Sequence, residues 1–418
     1  MTKAREQFEQ GVRRRHGEVV TLCQRLIQTG SENPPGDTGP LARVVAAELQ
    51  GLPGTSVEVI TAKVPADNVV ARIGCAKPGR RLVINAHLDT FPIGDASRWT
   101  RAPLGGEIVD GRLYGRGAGD MKAGLATALM TARVIAEHRD RLAGELVVTC
   151  VGDEETGGRW GTEYLLDNVP HCRGDAVLSA DAGSTQVLRF GEKGQIWVEV
   201  RSEGLANHGA HVHLGRNAIE PLLEAIRRCL HLRGMKPAIP PDVLAAMQQA
   251  RAVSEALSGA GEFDTLSNVT INVGVISGGS VVNIIPDRAS ARLDVRIPPG
   301  VTVNQVVSTI SDLLSDLPDV SFEVLQSCNP TVTSPLDEIA TLALANARAH
   351  LGPGVVANMR VGMSDARFYR LRGMPTIVYG PAPHNMGGID EYVMVEDIQN
   401  VFHVHAMTAF DYLSRPAV

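Results

Sequence analysis

Residues 82–86, 146–151 and 176–178 are short, β-rich apolar runs without polar alternation. Strands of that kind are buried on both faces, which requires helices on both sides of the sheet. Helical spacing lies between them: Leu41, Val44, Val45 and Leu49 recur at i, i+3, i+4 and i+8, and Leu125, Leu129, Ala132 and Ala136 at i, i+4, i+7 and i+11. Alternation of such strands and helices predicts an α/β layer structure with a mixed, largely parallel sheet. A helix around 338–349 and a strand at 376–379 continue the pattern.

Between about 194 and 328 the periodicity changes. Val269, Ile271, Val273 and Val275 alternate with polar residues, as do Leu293, Val295 and Ile297, the signature of strands with one buried face. Stripes at Ile219, Leu222, Leu223, Ile226 and Leu230, and at Val303, Val306, Val307, Ile310, Leu313 and Leu314, predict two amphipathic helices. With strands near 195–200 and 322–325, the order is β-α-β-β-α-β, a ferredoxin-like α+β arrangement. The expected organisation is one domain made of residues 1–193 and 329–418, interrupted by a second at 194–328. Residues 233–265 form an excursion on the insert, helical around 243–258, and no internal repeat is found.

A chain of 418 residues, 44% hydrophobic and 21% charged, has enough apolar material for two cores. Its 40 basic and 46 acidic side chains give a net charge of −6, which offers no electrostatic footprint for nucleic acid and no polybasic membrane patch. A small molecule or peptide is the expected partner. The six cysteines are scattered singly, without a CxxC pair, as suits a reducing compartment. The first twenty residues lack an apolar targeting core, and no run reaches eighteen apolar residues, so the expected location is the cytoplasm.

Four polar clusters fall just beyond strands of the α/β pattern: His87 and Asp89 in NAHLDT, Asp120 in YGRGAGDMKAG, Asp153-Glu154-Glu155, and Asp181. That is the edge where open α/β sheets bind ligands. His87 and Asp89, two apart in extended chain, project together, whereas the adjacent Glu154 and Glu155 point to opposite sides. Asp120 stands where a dinucleotide motif needs glycine, and a carboxylate there would repel a pyrophosphate. Several carboxylates converging with one imidazole repel each other unless a cation lies among them. The donor set suits zinc, manganese or cobalt. Two such ions sharing a carboxylate activate water and polarise a carbonyl; lowering water's pKa from about 15.7 to about 7 corresponds to roughly 12 kcal/mol. Other nucleophile arrangements are poorly matched. GMSDA at 362–366 imitates a nucleophile elbow but ends in alanine, Ser280 lacks a strand-to-helix frame, and there is no phosphate-binding loop.

Together the motifs resemble the co-catalytic metallohydrolase family of aminoacylase, acetylornithine deacetylase, succinyl-diaminopimelate desuccinylase and glutamate carboxypeptidase, from SENPPGD at Ser31 to GIDEYV at Val393. The resemblance implies a metallopeptidase-type catalytic domain with an inserted lid that also serves dimerisation. It implies that His87 and Asp181 hold one divalent ion, that Asp120 bridges two, and that Glu155 holds the other. Asp89 would orient His87, and Glu154 would be the general base that moves a proton from the attacking water to the leaving nitrogen. In GLANHGAHVHLGRNAI, His208 would donate to the oxyanion, often reaching it from a partner subunit. Asn283 and Arg296 fit positions that hold the substrate's carbonyl and carboxylate, and Arg367 resembles a carboxylate-binding arginine of some members.

Two departures stand out. The family's last metal-binding histidine, three residues before the C-terminal Asp-Glu pair, falls on Gly387, and the nearest histidine is His384, up to about 10 Å further along an extended chain. His384 serves as a ligand only if the Gly-rich loop is reshaped; without it one ion would remain. Val212 replaces the proline usual after the lid histidine. The expected activity is metal-dependent hydrolysis of a C–N bond, an amide of an N-acyl amino acid or small peptide-like carboxylate. Release of ammonia by a deaminase, and a catalytically silent binding protein of the same fold, are the alternatives.

Overall fold

The computed structural model describes residues 3–415, which form two compact units. The first contains the residues through Phe190, Thr333–Asn358 and the residues from Ser364 on; the second contains Gly191–Val332 and Met359–Met363. Among the described residues, no helix is long and apolar enough to cross a membrane.

The first unit has the expected α/β architecture. Its sheet runs in the order Thr55–Lys63, Ala66–Gly74, Ala143–Val151, Lys77–His87, Ala176–Ser179, Thr376–Val378. The three apolar runs supply the parallel centre: Lys77–His87 pairs in parallel with Ala143–Val151 on one side and Ala176–Ser179 on the other. Thr55–Lys63 pairs antiparallel with Ala66–Gly74 and forms the edge of the sheet; its half-exposed, polar-rich sequence does not announce a strand, whereas Ala66–Gly74, paired on both sides, is mostly buried. Leu82, Val83, Ile84, Leu146, Val147, Val148 and Val177 are all fully buried. The Ala123–Glu137 and Val395–Leu413 helices pack against each other and are buried nearly all round, so neither needs the one-sided pattern of a surface helix.

Register brings the chemistry together. His87 lies opposite Val151 and Asn85 opposite Ser179, so the three parallel strands end within two residues of one another. Because Lys77–His87 sits between the other two strands, the connection from Ala143–Val151 to Ala176–Ser179 passes over it, reversing the direction of the preceding crossover. Such a reversal opens a crevice at the carboxyl ends of the strands. Ala123–Glu137 approaches this edge very closely: a Cβ on Gly124 would lie 1.9 Å from the Ala180 carbonyl oxygen.

In the second unit, four antiparallel strands take the order Thr270–Gly278, Arg288–Ile297, Gly194–Glu203, Val320–Cys328, with helices Ile219–Cys229 and Val303–Leu314. This is the predicted ferredoxin-like order. Ile196, Val198, Leu222, Ile271, Leu293, Val295, Val306 and Ile310 share its core. The regular alternation fails at one place. A bulge between Val273 and Val275 shifts the register, and Val275 and Ile276, on opposite faces of a regular strand, are both about half exposed. The excursion contains the Pro241–Ser258 helix, and the buried Lys193 ammonium anchors its end through the Thr265 and Asn268 carbonyls. The chain enters along Val187–Glu192 and leaves along Thr331–Val332, with Glu192 paired to Thr331.

Gly124→Ala forces its methyl group into the Ala180 carbonyl. The expected loss is about 1–3 kcal/mol of stability, the usual cost of overpacking, read from denaturant unfolding.

Candidate metal centre

His87 is the last residue of its strand, 2% exposed. Its Nδ1 lies 2.8 Å from the Asp89 backbone oxygen. A carbonyl only accepts, so Nδ1 carries the proton and donates, which leaves Nε2 as the nitrogen that could ligate a cation. Nε2 lies 3.0 Å from Asp120 Oδ1 and 3.9 Å from Asp181 Oδ1. Among the described residues, these three form the one set whose possible ligand atoms all fall within 4.8 Å of one another.

The Asp89 carboxylate is fully buried and does something the sequence did not reveal. It stands 3.6 Å from His87 Nδ1, but accepts the backbone N–H groups of Glu154 (3.2 Å) and Glu155 (3.1 Å) and the Asn33 side-chain amide (2.9 Å). Asp89 therefore orients His87 through its main chain and fixes the Glu154–Thr156 turn through its side chain. Asp120 is positioned from the C-terminal part of the chain: the N–H groups of Gly119 and Asp120 donate to Glu391 Oε1 at 3.0 and 3.2 Å. Glu391 is paired with Arg116 at 2.5 Å, both side chains almost completely buried.

Electrostatics identify what the residues lack. Burial pushes the Glu155 carboxyl up to about 9, and Asp120, Asp89 and Asp181 add repulsion; burial also holds Glu154 well above its ordinary value. Burial opposes charge on the His87 ring, yet the carboxylates of Asp120 and Asp89 raise it well above its usual range. Glu155 Oε1 is buried without a hydrogen-bond partner. Carboxyls forced to stay protonated, an orphaned carboxylate oxygen and an imidazole nitrogen aimed among carboxylates fit a divalent cation.

His384 forms a two-residue strand with Pro383, pairs with Tyr392 and stacks on its ring at 4.5 Å and 4°. It is outside the three-residue set, but Pro383 packs on Gly119, beside Asp120. Gly387 takes a left-handed conformation (φ +70°) against Phe91, and its carbonyl, like that of Gly388, accepts from Arg116 Nη2. The loop at Gly387 and Gly388 is thus held through its backbone carbonyls.

In the second unit His208 and Asn283 lie on facing loops: His208 bridges to Ile284, and Gly209 N–H donates to the Asn283 carbonyl at 2.6 Å. Both side chains are exposed. The Arg296 guanidinium is paired with Asp294 at 2.8 and 3.2 Å, and Val212 begins a short exposed turn. In the first unit, buried Arg367 donates to the backbone oxygens of Ser364 and Gly157. Sequence reasoning missed Arg116, Glu391 and Asn33, although each lies inside a quoted motif; their partners are 56 or more residues away.

The sequence model described as peptidase family M20/M25/M40 matches residues 83–411. Succinyl-diaminopimelate desuccinylase of Rhodospirillum centenum is 30% identical over 391 residues, covering 91% of this chain and 94% of that protein. An M20 family metallo-carboxypeptidase from Sulfolobus solfataricus superimposes over 94% of this chain and 99% of its own, with a TM-score of 0.75 and 19% identity. A dinuclear metal binding peptidase of the M20 family from Bacillus subtilis does so over 95% and 98%, with a TM-score of 0.62 and 15% identity. The two structures speak for the fold.

Groups that would bind a cation must first lose their protons, and His87 and Glu155 hold theirs above the usual range. Zinc or manganese added to metal-free protein near pH 7 in weak buffer should therefore release protons, with affinity rising toward pH 9. Uptake without proton release, measured with an indicator dye, contradicts this electrostatic picture.

Proposed function

Because the chain belongs to peptidase family M20/M25/M40, we propose that it hydrolyses the amide bond of an N-acyl amino acid or small peptide-like substrate bearing a carboxylate, with Glu154 as general base. The observation that carries this reading is the His87, Asp120 and Asp181 cluster at the same sheet edge as the half-buried Glu154 and Glu155. An amino acid derivative acylated by a dicarboxylic acid, as the desuccinylase relative's name describes, is the first substrate class to try.

Divalent ions, held by His87, Asp120 and Asp181 and by Asp120, Glu155 and His384, would supply Lewis-acid polarisation of the scissile carbonyl and acidification of the attacking water. The chain's own residues do the rest. Asp89 holds the N–H groups of both glutamates, fixing which carboxylate faces the water and which faces the ligand set. Glu154, in a buried environment that strengthens its basicity, takes the proton of the attacking water and returns it to the leaving nitrogen. His208 donates to the developing oxyanion, and Asn283 and Arg296 hold the substrate's carbonyl and carboxylate. A homodimer formed through the inserted unit supplies that histidine from the partner subunit.

A panel of N-succinyl, N-acetyl and dipeptide substrates, with zinc, manganese or cobalt and separate scoring of amine and ammonia, tests the reading; ammonia as the nitrogen product would replace it with deamination. Glu154→Gln should lower kcat by about 10²–10⁴-fold with metal content unchanged, since general-base catalysis contributes on that scale. His384→Ala should lose one of two equivalents of bound metal by elemental analysis; retention of both removes His384 from the ligand set.

A further inference from the structure

We propose that Arg367 is a positioning residue that holds the turn carrying Glu154 and Glu155, and that it does not grip the substrate. The inference rests on the hydrolase reading for its kinetic consequences and on hydrogen bonding for its geometry. The Glu154–Thr156 turn is short, and the Glu154 carbonyl accepts the Gly157 N–H at 2.9 Å. Gly157 has φ +114°, outside helix and sheet, so its own carbonyl belongs to no ladder and needs another donor. Arg367 Nη2 supplies it at 2.7 Å, while Nη1 donates to the Ser364 carbonyl at 2.8 Å. The guanidinium lies 4.2 Å from the Phe368 ring centroid, and the residue is 8% exposed.

A planar fork bonded at two corners and stacked on one face has its orientation settled. The next residue is held by its backbone and closely packed: Gly158 N–H donates to the Asp153 carbonyl at 2.7 Å, and a Cβ there would lie 2.3 Å from Asp365 Oδ1. Asp89 binds the start of the turn by two N–H groups, and Arg367 binds its end by one carbonyl. Between those two clamps stand the two carboxylates whose roles must not be exchanged. A small displacement of a base costs a large factor in rate, so a residue that touches no substrate sets kcat through the turn.

The test compares Arg367→Ala and Arg367→Lys with the wild type on an N-acyl amino acid and on its uncharged carboxamide. Expected for Arg367→Ala is a fall in kcat of about 10–10²-fold, the same for both substrates, with KM within about threefold and bound metal unchanged. Arg367→Lys, which keeps one carbonyl bond, should recover part of the loss. In a Glu154→Gln background the Arg367→Ala effect should shrink to less than threefold, because the base it positions is gone. A rise in KM confined to the carboxylate substrate, with kcat unchanged, would overturn the proposal in favour of direct substrate binding. Hydrogen exchange gives a readout independent of turnover: amides of 154–158 should exchange at least tenfold faster in Arg367→Ala while those of the Ala143–Val151 strand do not. Unchanged exchange at 154–158 overturns the proposal. A wild type inert toward every amide tested would sink the hydrolase reading and leave the exchange result to decide the role of Arg367.

Discussion

The architecture of the first unit turns on one electrostatic problem: Asp120, Glu154, Glu155 and Asp181 are gathered around a single imidazole at the edge of a dry sheet. Without a cation, burial and mutual repulsion keep carboxyls protonated far above their normal range, as at Glu155. A fold that maintains such a group must hold each member by something other than attraction. It does so with strand register for His87 and Asp181, with Asp89 for the glutamate turn, and with Glu391 for the Asp120 loop. None of these restraints depends on the carboxylates liking one another.

Glu391 and Arg116 show how far apart in the chain those restraints originate. The pair is nearly free of solvent and ties two loops separated by 275 residues. Breaking a buried pair by removing one partner leaves an uncompensated charge and costs about 3–5 kcal/mol, whereas its net contribution when intact is much smaller. Its value is geometric: Glu391 aligns the backbone under Asp120, and Arg116 gathers the carbonyls of Gly387 and Gly388, so the loop beside His384 is specified without any side chain at position 387.

Much of this is legible in the amino-acid sequence. Apolar runs without alternation gave the parallel centre, strict alternation gave the second sheet, and the position of acidic clusters just after strands marked the ligand edge. What stayed hidden has identifiable causes. The strand Thr55–Lys63 lies at the sheet edge, where polar residues are tolerated, so no apolar run marks it. The bulge at Gly274 breaks an alternation that reads as perfect. The resemblance assigns Asp89 to His87 alone, because motif spacing shows only near neighbours, and the contacts of its carboxylate with a turn 65 residues on emerge only in the fold. Arg367 illustrates the same limit: a basic residue in a motif suggests an anionic ligand, and only the fold reveals that two carbonyls receive its η nitrogens.

The pairing of Glu192 with Thr331 means that the chain leaves the inserted unit beside the point at which it entered. An insertion held at such a stem has its ends already joined, and closure entropy grows only with the logarithm of what lies between them. Segments such as the Pro241–Ser258 helix can therefore be added or lost in the insert with little entropic penalty at the stem. The length of the insert is thereby nearly uncoupled from the stability of the stem, so its loops can grow or shrink while the buried charges at the parallel strand ends keep their places.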